Sequence, residues 1–183
     1  DELVDGSDVA FAEHAVPVLA KNECVALRAD AQPGALTGTY RVLASVDVTG
    51  VLTELNESNN EKAGPALHFG ADLVVSQARL EVVNHSTFEL FAEVCNRGTA
   101  PAAATTLQLS ISLDDIAGND TALTPMQTSQ LAPGACTQIE TSVPNQEFAS
   151  DELSLVVVAD SANVVSELDE TNNTFVSLPA GNR

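Results

Sequence analysis

Two short stretches of this sequence gather the oxygen donors that hard cations prefer. The first, Asp47-Val-Thr-Gly-Val-Leu-Thr-Glu-Leu-Asn-Glu-Ser-Asn-Asn60, offers Asp47, Glu54, Asn56, Glu57, Asn59 and Asn60. The second, Asp160-Ser-Ala-Asn-Val-Val-Ser-Glu-Leu-Asp-Glu-Thr-Asn-Asn173, offers Asp160, Glu167, Asp169, Glu170, Asn172 and Asn173. Calcium takes about six to eight such oxygens, so the carboxylates of Asp47, Glu54, Glu57, Asp160, Glu167, Asp169 and Glu170 are candidate ligands. Neither stretch has the Asp-x-Asp-x-Asp-Gly order of a dedicated calcium loop. Asn and Asp are also turn residues, because their side chains bond nearby backbone N–H groups. That turn-forming role is favoured for both stretches, with calcium as the alternative and no other cofactor implied. A further acidic run, Asp114-Asp-Ile-Ala-Gly-Asn-Asp120, is a weaker candidate of the same kind.

Other chemistries lack their residues. His14, His68 and His85 stand far apart, without His-Glu-x-x-His or Cys-x-x-Cys spacing, which argues against zinc. There is no Gly-x-Ser-x-Gly elbow and no Gly-rich phosphate loop, and the paired carboxylates fall in turns rather than in a cleft that would shift their pKa. No enzymatic activity is expected. Twenty-six acidic residues against seven basic ones give a net charge of −19. Such a surface repels phosphate backbones and anionic membranes, so nucleic acid is an improbable partner. The apolar residues come in short runs, far from the roughly 20 that a membrane helix needs. The chain opens at Asp1 with no initiator Met and no basic-then-apolar leader, as expected of a mature product or a fragment.

The elements that must position the acidic stretches emerge from their similarity. They align without gaps over fourteen positions, seven of them identical. Upstream, Leu19-Ala-Lys-Asn-Glu-Cys24 lies over Leu131-Ala-Pro-Gly-Ala-Cys136, and Gly6-Ser-Asp8 over Gly118-Asn-Asp120. The offset is 112 residues before Tyr40 and 113 after it. Solenoid repeats run about 20 to 50 residues, whereas a β-sandwich domain takes about 100, so each repeat is a whole domain. A complete copy occupies 70–183 and the second half of another occupies 1–69.

Period-2 alternation, the mark of a strand with one buried face, gives the complete copy six or seven strands. Strand A covers Asp72 to Gln77. In strand B, Phe88, Leu90, Ala92 and Val94 alternate with Glu89, Phe91 and Glu93; in strand C, Leu107, Leu109, Ile111 and Leu113 alternate with Gln108, Ser110 and Ser112. A looser stretch from Ala122 to Gln130 precedes strands E (Ala135 to Val143), F (Leu153 to Ala159) and G (Thr174 to Leu178). Turn signals at Asn96-Arg-Gly98, Ala117-Gly-Asn119, Pro133-Gly134 and Pro144-Asn145 separate the runs. The incomplete copy keeps counterparts of E (Cys24 to Ala29), F (Tyr40 to Val46) and G (Lys62 to Phe69). So few strands cannot close a two-sheet core, and Val25, Leu27, Val42, Ala44 and Val46 are expected to lie open unless further sequence or a neighbouring chain covers them.

These residues resemble the bacterial and archaeal cell-adhesion-related domain called CARDB. The resemblance rests on Ala71-Asp-Leu-Val-Val, Glu93-Val-Cys-Asn-Arg-Gly98, Leu131-Ala-Pro-Gly134 and Val164-Val-Ser-Glu-Leu-Asp-Glu-Thr-Asn-Asn173, in that order, and on their partial repetition. It implies an all-β fold, an Ig-like antiparallel sandwich, in secreted or surface proteins and often in tandem, with no catalytic residues of its own. Strands B and E are neighbours in that fold. Cys95 lies off the core set of B and Cys136 off that of E, so the two can approach on one side of the sheet and are expected to form a disulfide. Closing a loop of about forty residues stabilises by about 4 kcal/mol in the chain-entropy model. Cys24 matches Cys136 and is left as an unpaired thiol.

The function that follows is a non-catalytic spacer or adhesion module of a tandem-repeat cell-surface protein, located outside the cell. Its expected partners are neighbouring domains or subunits, with no nucleic acid and no membrane span. The alternatives are a fibre subunit completed by strand addition from a neighbour, or an accessory domain of a secreted peptidase.

Overall fold

A computed structural model describes residues 8–31, 36–84, 87–114, 116–144 and 153–180. His85, Asp115, Asn145 and Gly6 lie outside these. The chain divides into two compact units, one of Asp1–Gly34 and Thr39–Leu67, the other of Ala35–Gly38 and His68–Arg183.

Among the described residues ten strands follow in chain order: β1 (Gly38–Ser45), β2 (Glu61–Phe69), β3 (Leu73–Asn84), β4 (Thr87–Asn96), β5 (Thr106–Ser112), β6 (Thr121–Ala122), β7 (Met126–Gln127), β8 (Cys136–Pro144), β9 (Ser154–Val158) and β10 (Thr174–Val176). In the second unit one sheet has the order β3-β4-β8 and the other β10-β9-β5-β6, with β7 also on β5. All these pairings are antiparallel. Leu73, Leu80, Phe88, Leu90, Val94 and Ile139 of the first sheet share one buried cluster with Leu107, Leu109, Ile111, Leu155 and Val157 of the second. The chain is thus all-β, an Ig-like antiparallel sandwich. Each fully buried Leu, Val or Phe contributes about 1.5–3 kcal/mol, so this shared face holds the sheets together.

The structure corrects the sequence reading in several places. Strand A does not stop at Gln77; β3 runs on to Asn84 and pairs with β4 throughout. Its alternation is concealed by a bulge between Val75 and Gln77. Before the bulge Leu73 and Val75 face the core, and after it Ala78 and Leu80 do, because one extra residue switches the parity of all that follow. The looser stretch Ala122 to Gln130 holds the last residue of β6 and the two-residue β7. Phe91, on the outward face of β4, is nevertheless buried: the Arg79 guanidinium lies 4.0 Å from its ring centroid, a cation–π contact that covers the ring.

The first unit contains the two-stranded sheet of β1 and β2. Cys24 to Ala29, expected as a strand, is not one. Its counterpart β8 is held by the ladder to β4. The described residues of the first unit hold no equivalent of β4, and extended backbone without a partner forms no ladder.

Candidate functional site

All four sequence motifs of the second unit meet at one end of the sandwich. The meeting point is Asn96, the last residue of β4 and wholly buried. Its Oδ1 accepts from the N–H groups of Asp72 (3.2 Å) and Gly98 (3.0 Å). Its Nδ2 donates to the carbonyls of Ala100 (2.8 Å) and Leu131 (3.0 Å). A buried amide with every polar atom engaged is favourable, whereas one missing partner costs about 1–3 kcal/mol. Asn96 therefore ties together the start of β3, the turn after β4 and the loop before β8. From the sequence it reads only as a turn residue; nothing in its neighbours signals that it is buried.

The Asn96-Arg-Gly98 turn also cradles the backbone that enters β3. The N–H groups of Thr99 and Ala100 donate to the Gly70 carbonyl at 2.8 and 3.0 Å, and Arg97 N–H donates to the Asp72 carbonyl at 2.7 Å. Gly98 permits this approach: a Cβ there would sit 2.2 Å from the Gly70 oxygen, where no side chain fits.

The acidic hairpin between β9 and β10 closes the site from the other side. Asp160 opens it with φ +45°, a left-handed conformation that Asp tolerates better than most residues. Its carboxylate accepts from the N–H groups of Val164 (3.1 Å) and Val165 (2.8 Å) and from the Thr105 hydroxyl. Glu170 accepts from Glu167 N–H at 2.9 Å, and Asp169 accepts from the Thr171 N–H and hydroxyl at 2.9 and 2.6 Å. Asn173 Nδ2 donates to Glu167 Oε1 at 2.7 Å.

Glu167 then reaches across to the start of β3. Its Oε2 accepts from Leu73 N–H. Leu168 N–H donates to the Ala71 carbonyl at 2.8 Å, and Asn172 Nδ2 donates to Asp72 Oδ1 at 2.8 Å. A short parallel bridge pairs Ala71 with Glu167. The hairpin thus clasps the leading strand to the opposite sheet, across about 100 residues of sequence. Burial pushes the Glu167 carboxyl above the ordinary Glu value, against the downward pull of its bonds from Leu73 and Asn173; the charges of Glu170 and Asp160 add to the rise. Asp169 is held below the ordinary Asp value by the Thr171 hydroxyl and N–H.

The first unit repeats the hairpin, and among its described residues no strand stands where β3 does in the second. Asp47 has φ +46° and accepts from Val51 and Leu52 N–H, both at 2.9 Å. Glu57 accepts from Glu54 N–H at 2.9 Å, Asn56 from Ser58 N–H at 3.0 Å, and Asn60 Nδ2 donates to Glu54 Oε2 at 2.6 Å. Each calcium candidate of both copies therefore has at least one carboxylate oxygen engaged by a protein N–H or O–H donor, mostly of its own loop. Among the described residues, the one cluster of His, Cys, Asp and Glu with ligand atoms all within 4.8 Å of one another is Glu93, Cys95 and Cys136, and it contains none of those candidates. Its sulfurs are bonded to each other.

Cys95 and Cys136 face each other in the β4–β8 register and form a disulfide with a Cα–Cα distance of 4.0 Å. Beside it, hydrogen bonds from the Ser76 hydroxyl and from Gln138 hold Glu93 below the ordinary Glu value. Cys24 is a free, exposed thiol. His14 is exposed too. A cleft lined by Leu109, Ile111, Leu123, Met126, Thr141 and Val143, among others, holds no ionisable side chain.

Fold and clasp together define an Ig-like sandwich module whose opening strand is fastened by its last hairpin. The CARDB family model matches residues 70–177, and the chain belongs to the CARDB family. No curated protein matches the sequence. Among solved structures, a domain of a Methanosarcina acetivorans protein assigned by its name to the cell surface is 19% identical, with TM-score 0.52 over 63% of this chain and 95% of that one. A CARDB domain from Pyrococcus furiosus, solved in complex with di-metal ions, is 22% identical, with TM-score 0.47 over 63% of this chain and 99% of that one. β-Glucosidase 3B from Thermotoga neapolitana is 16% identical with TM-score 0.42, over 64% of this chain and 17% of that one. The likeness to the Methanosarcina acetivorans domain speaks to the fold alone. Among the described residues no helix is long and apolar enough to cross a membrane.

Proposed function

We propose that this chain is a non-catalytic structural module, a spacer or adhesion segment of a tandem-repeat protein displayed at the cell surface. In this reading 70–183 is one complete repeat and 1–69 the second half of the one before it. The observation that carries it is the use to which the acidic hairpin is put. Of the groups best suited to chemistry, Glu167 and Asn172 fasten the leading strand, and Asp160 holds the hairpin turn and the Thr105 hydroxyl. A module whose polar residues secure its own ends is suited to bearing load and holding position. Neighbouring repeats of the same protein are its natural partners, and the net charge of −19 keeps such an array soluble and extended.

Labelling of intact cells tests the reading. An antibody raised against residues 70–180 should stain unpermeabilised cells of the source organism and lose its target after brief protease shaving. Staining that needs permeabilisation overturns the surface assignment.

A further inference from the structure

The two copies of the hairpin have the same internal bonds but different surroundings. In the second copy the outward-reaching groups are occupied: Glu167 by Leu73 N–H, Asn172 by Asp72, Asp160 by the Thr105 hydroxyl, and Cys136 by Cys95. Their counterparts in the first copy are Glu54, Asn59, Asp47 and Cys24. Among the described residues no strand is held by Glu54 and Asn59, and Cys24 is free. The apolar positions differ in the same sense. Val42, Val46 and Leu52 are 44%, 52% and 64% exposed, whereas Leu155, Ala159 and Val165, their counterparts, are 0%, 1% and 7% exposed.

We propose that the first unit is the receiving half of a sandwich, and that its occupant is a segment with the pattern of the repeat's own front half. That segment opens with an Asp-Leu strand of the Ala71–Val75 type and continues through a strand ending Cys-Asn, as β4 does. The second copy shows what covers this face: Glu54 takes the N–H after the Asp, Asn59 takes the Asp carboxylate, and the cysteine of the incoming strand pairs with Cys24. The pairing is an oxidation, in which two thiols lose two protons and two electrons to the thiol–disulfide oxidants of a secretory compartment. In the second copy the front strands come from the same polypeptide, and the same covalent arrangement is inferred for the first. The inference rests on the tandem-repeat reading above.

The test gives residues 19–183 a complete front half in place of residues 1–18. A duplicate of residues 70–130 is joined to Leu19, the counterpart of Leu131. Three results are expected under oxidising conditions. Titratable thiol falls from one per chain to none; amide exchange in β1 slows by about tenfold or more; and both Glu54→Gln and Asn59→Ala return part of that exchange. A graft whose duplicated Cys95 is changed to Ser should leave Cys24 titratable and β1 still protected, which separates strand docking from the disulfide. Protection and oxidation that are indifferent to Glu54→Gln and Asn59→Ala overturn the clasp and leave the tandem reading standing. A graft with Cys24 titratable, β1 exchanging as before and the native Cys95–Cys136 bond intact overturns the receiving half itself. An unextended chain that sediments as a dimer with β1 already protected overturns the occupant proposed here, because a second copy then fills the face.

Discussion

The hairpin at Asp47 and the hairpin at Asp160 are the same object locally and different objects globally. Both start at a left-handed Asp, with φ +46° and +45°. Both close the first turn with a backbone bond three residues on, at 2.8 Å from Gly50 and 2.7 Å from Asn163. Both let a later Glu accept an N–H three residues back, at 2.9 Å in each. The loop conformation is therefore encoded within its own fourteen residues. What the encoded loop contributes depends on what lies beside it: half-buried, Asp47 organises a turn, whereas Asp160 is buried and also holds the Thr105 hydroxyl. Turn chemistry is local, and the energetic weight of the same carboxylate is set by its desolvation.

Substituting the two aspartates in parallel is the sharpest way to break that comparison. Asn keeps the shape and tolerates the left-handed backbone, but replaces one acceptor oxygen with a donor facing N–H groups. Asp160→Asn should cost the second unit about 2–3 kcal/mol, since a buried N–H or the Thr105 hydroxyl loses its acceptor. Asp47→Asn should change the same transition by less than about 0.5 kcal/mol and act locally, speeding amide exchange at Val51 and Leu52. Denaturant midpoints of the second unit measure the first effect, and site-resolved hydrogen exchange the second. Equal effects on the midpoint would mean that surroundings do not set the weight of the loop.

The same division between local and distant explains what the sequence made legible. Strands β4, β5 and β9 follow from alternation or from short apolar runs, which are properties of neighbouring residues. The hairpins follow from Asn, Asp and Gly at turn positions. The bulge near Ser76 was not legible, because an inserted residue looks like the end of alternation. Nor was the clasp: Asp72 meets Asn172, and Leu73 meets Glu167, across 100 and 94 residues respectively. Asn96 illustrates the difficulty best. Its type and its Gly98 neighbour announce a turn, and both do form one, but its burial and its four bonds depend on three separate segments arriving together.

Glu167 offers a smaller and more specific handle on the clasp. Its carboxyl is raised in the folded chain, chiefly by burial. An acid raised on folding binds more protons when folded than when unfolded, over the interval from the ordinary Glu value up to the raised one. Its contribution to stability is therefore greatest at acid pH and declines as pH rises through that interval. Glu167→Gln removes this titration and keeps one acceptor oxygen. The melting-temperature difference, wild type minus variant, should accordingly shrink as pH rises from about 4 towards neutrality. A difference that grows with pH would mean that hydrogen bonds to the charged form, rather than burial, dominate at Glu167.

Calcium is expected to have the smallest effect, and it separates the two roles that the acidic residues could play. A cation competes with the donors that now hold the carboxylates: Val164 and Val165 N–H at Asp160, Glu167 N–H at Glu170, and Thr171 at Asp169. In the first copy it competes with Val51 and Leu52 N–H at Asp47, and with Asn60 at Glu54. Each displaced N–H in a partly buried loop loses about 1–3 kcal/mol unless water replaces the lost partner. Millimolar calcium should therefore move the melting temperature no more than magnesium at equal ionic strength, since both screen the same acidic surface. A calcium-specific rise that saturates and disappears in Asp160→Asn would instead make the second hairpin a cation site. The same rise abolished only by Asp47→Asn would place that site in the copy whose hairpin lacks the strand contacts.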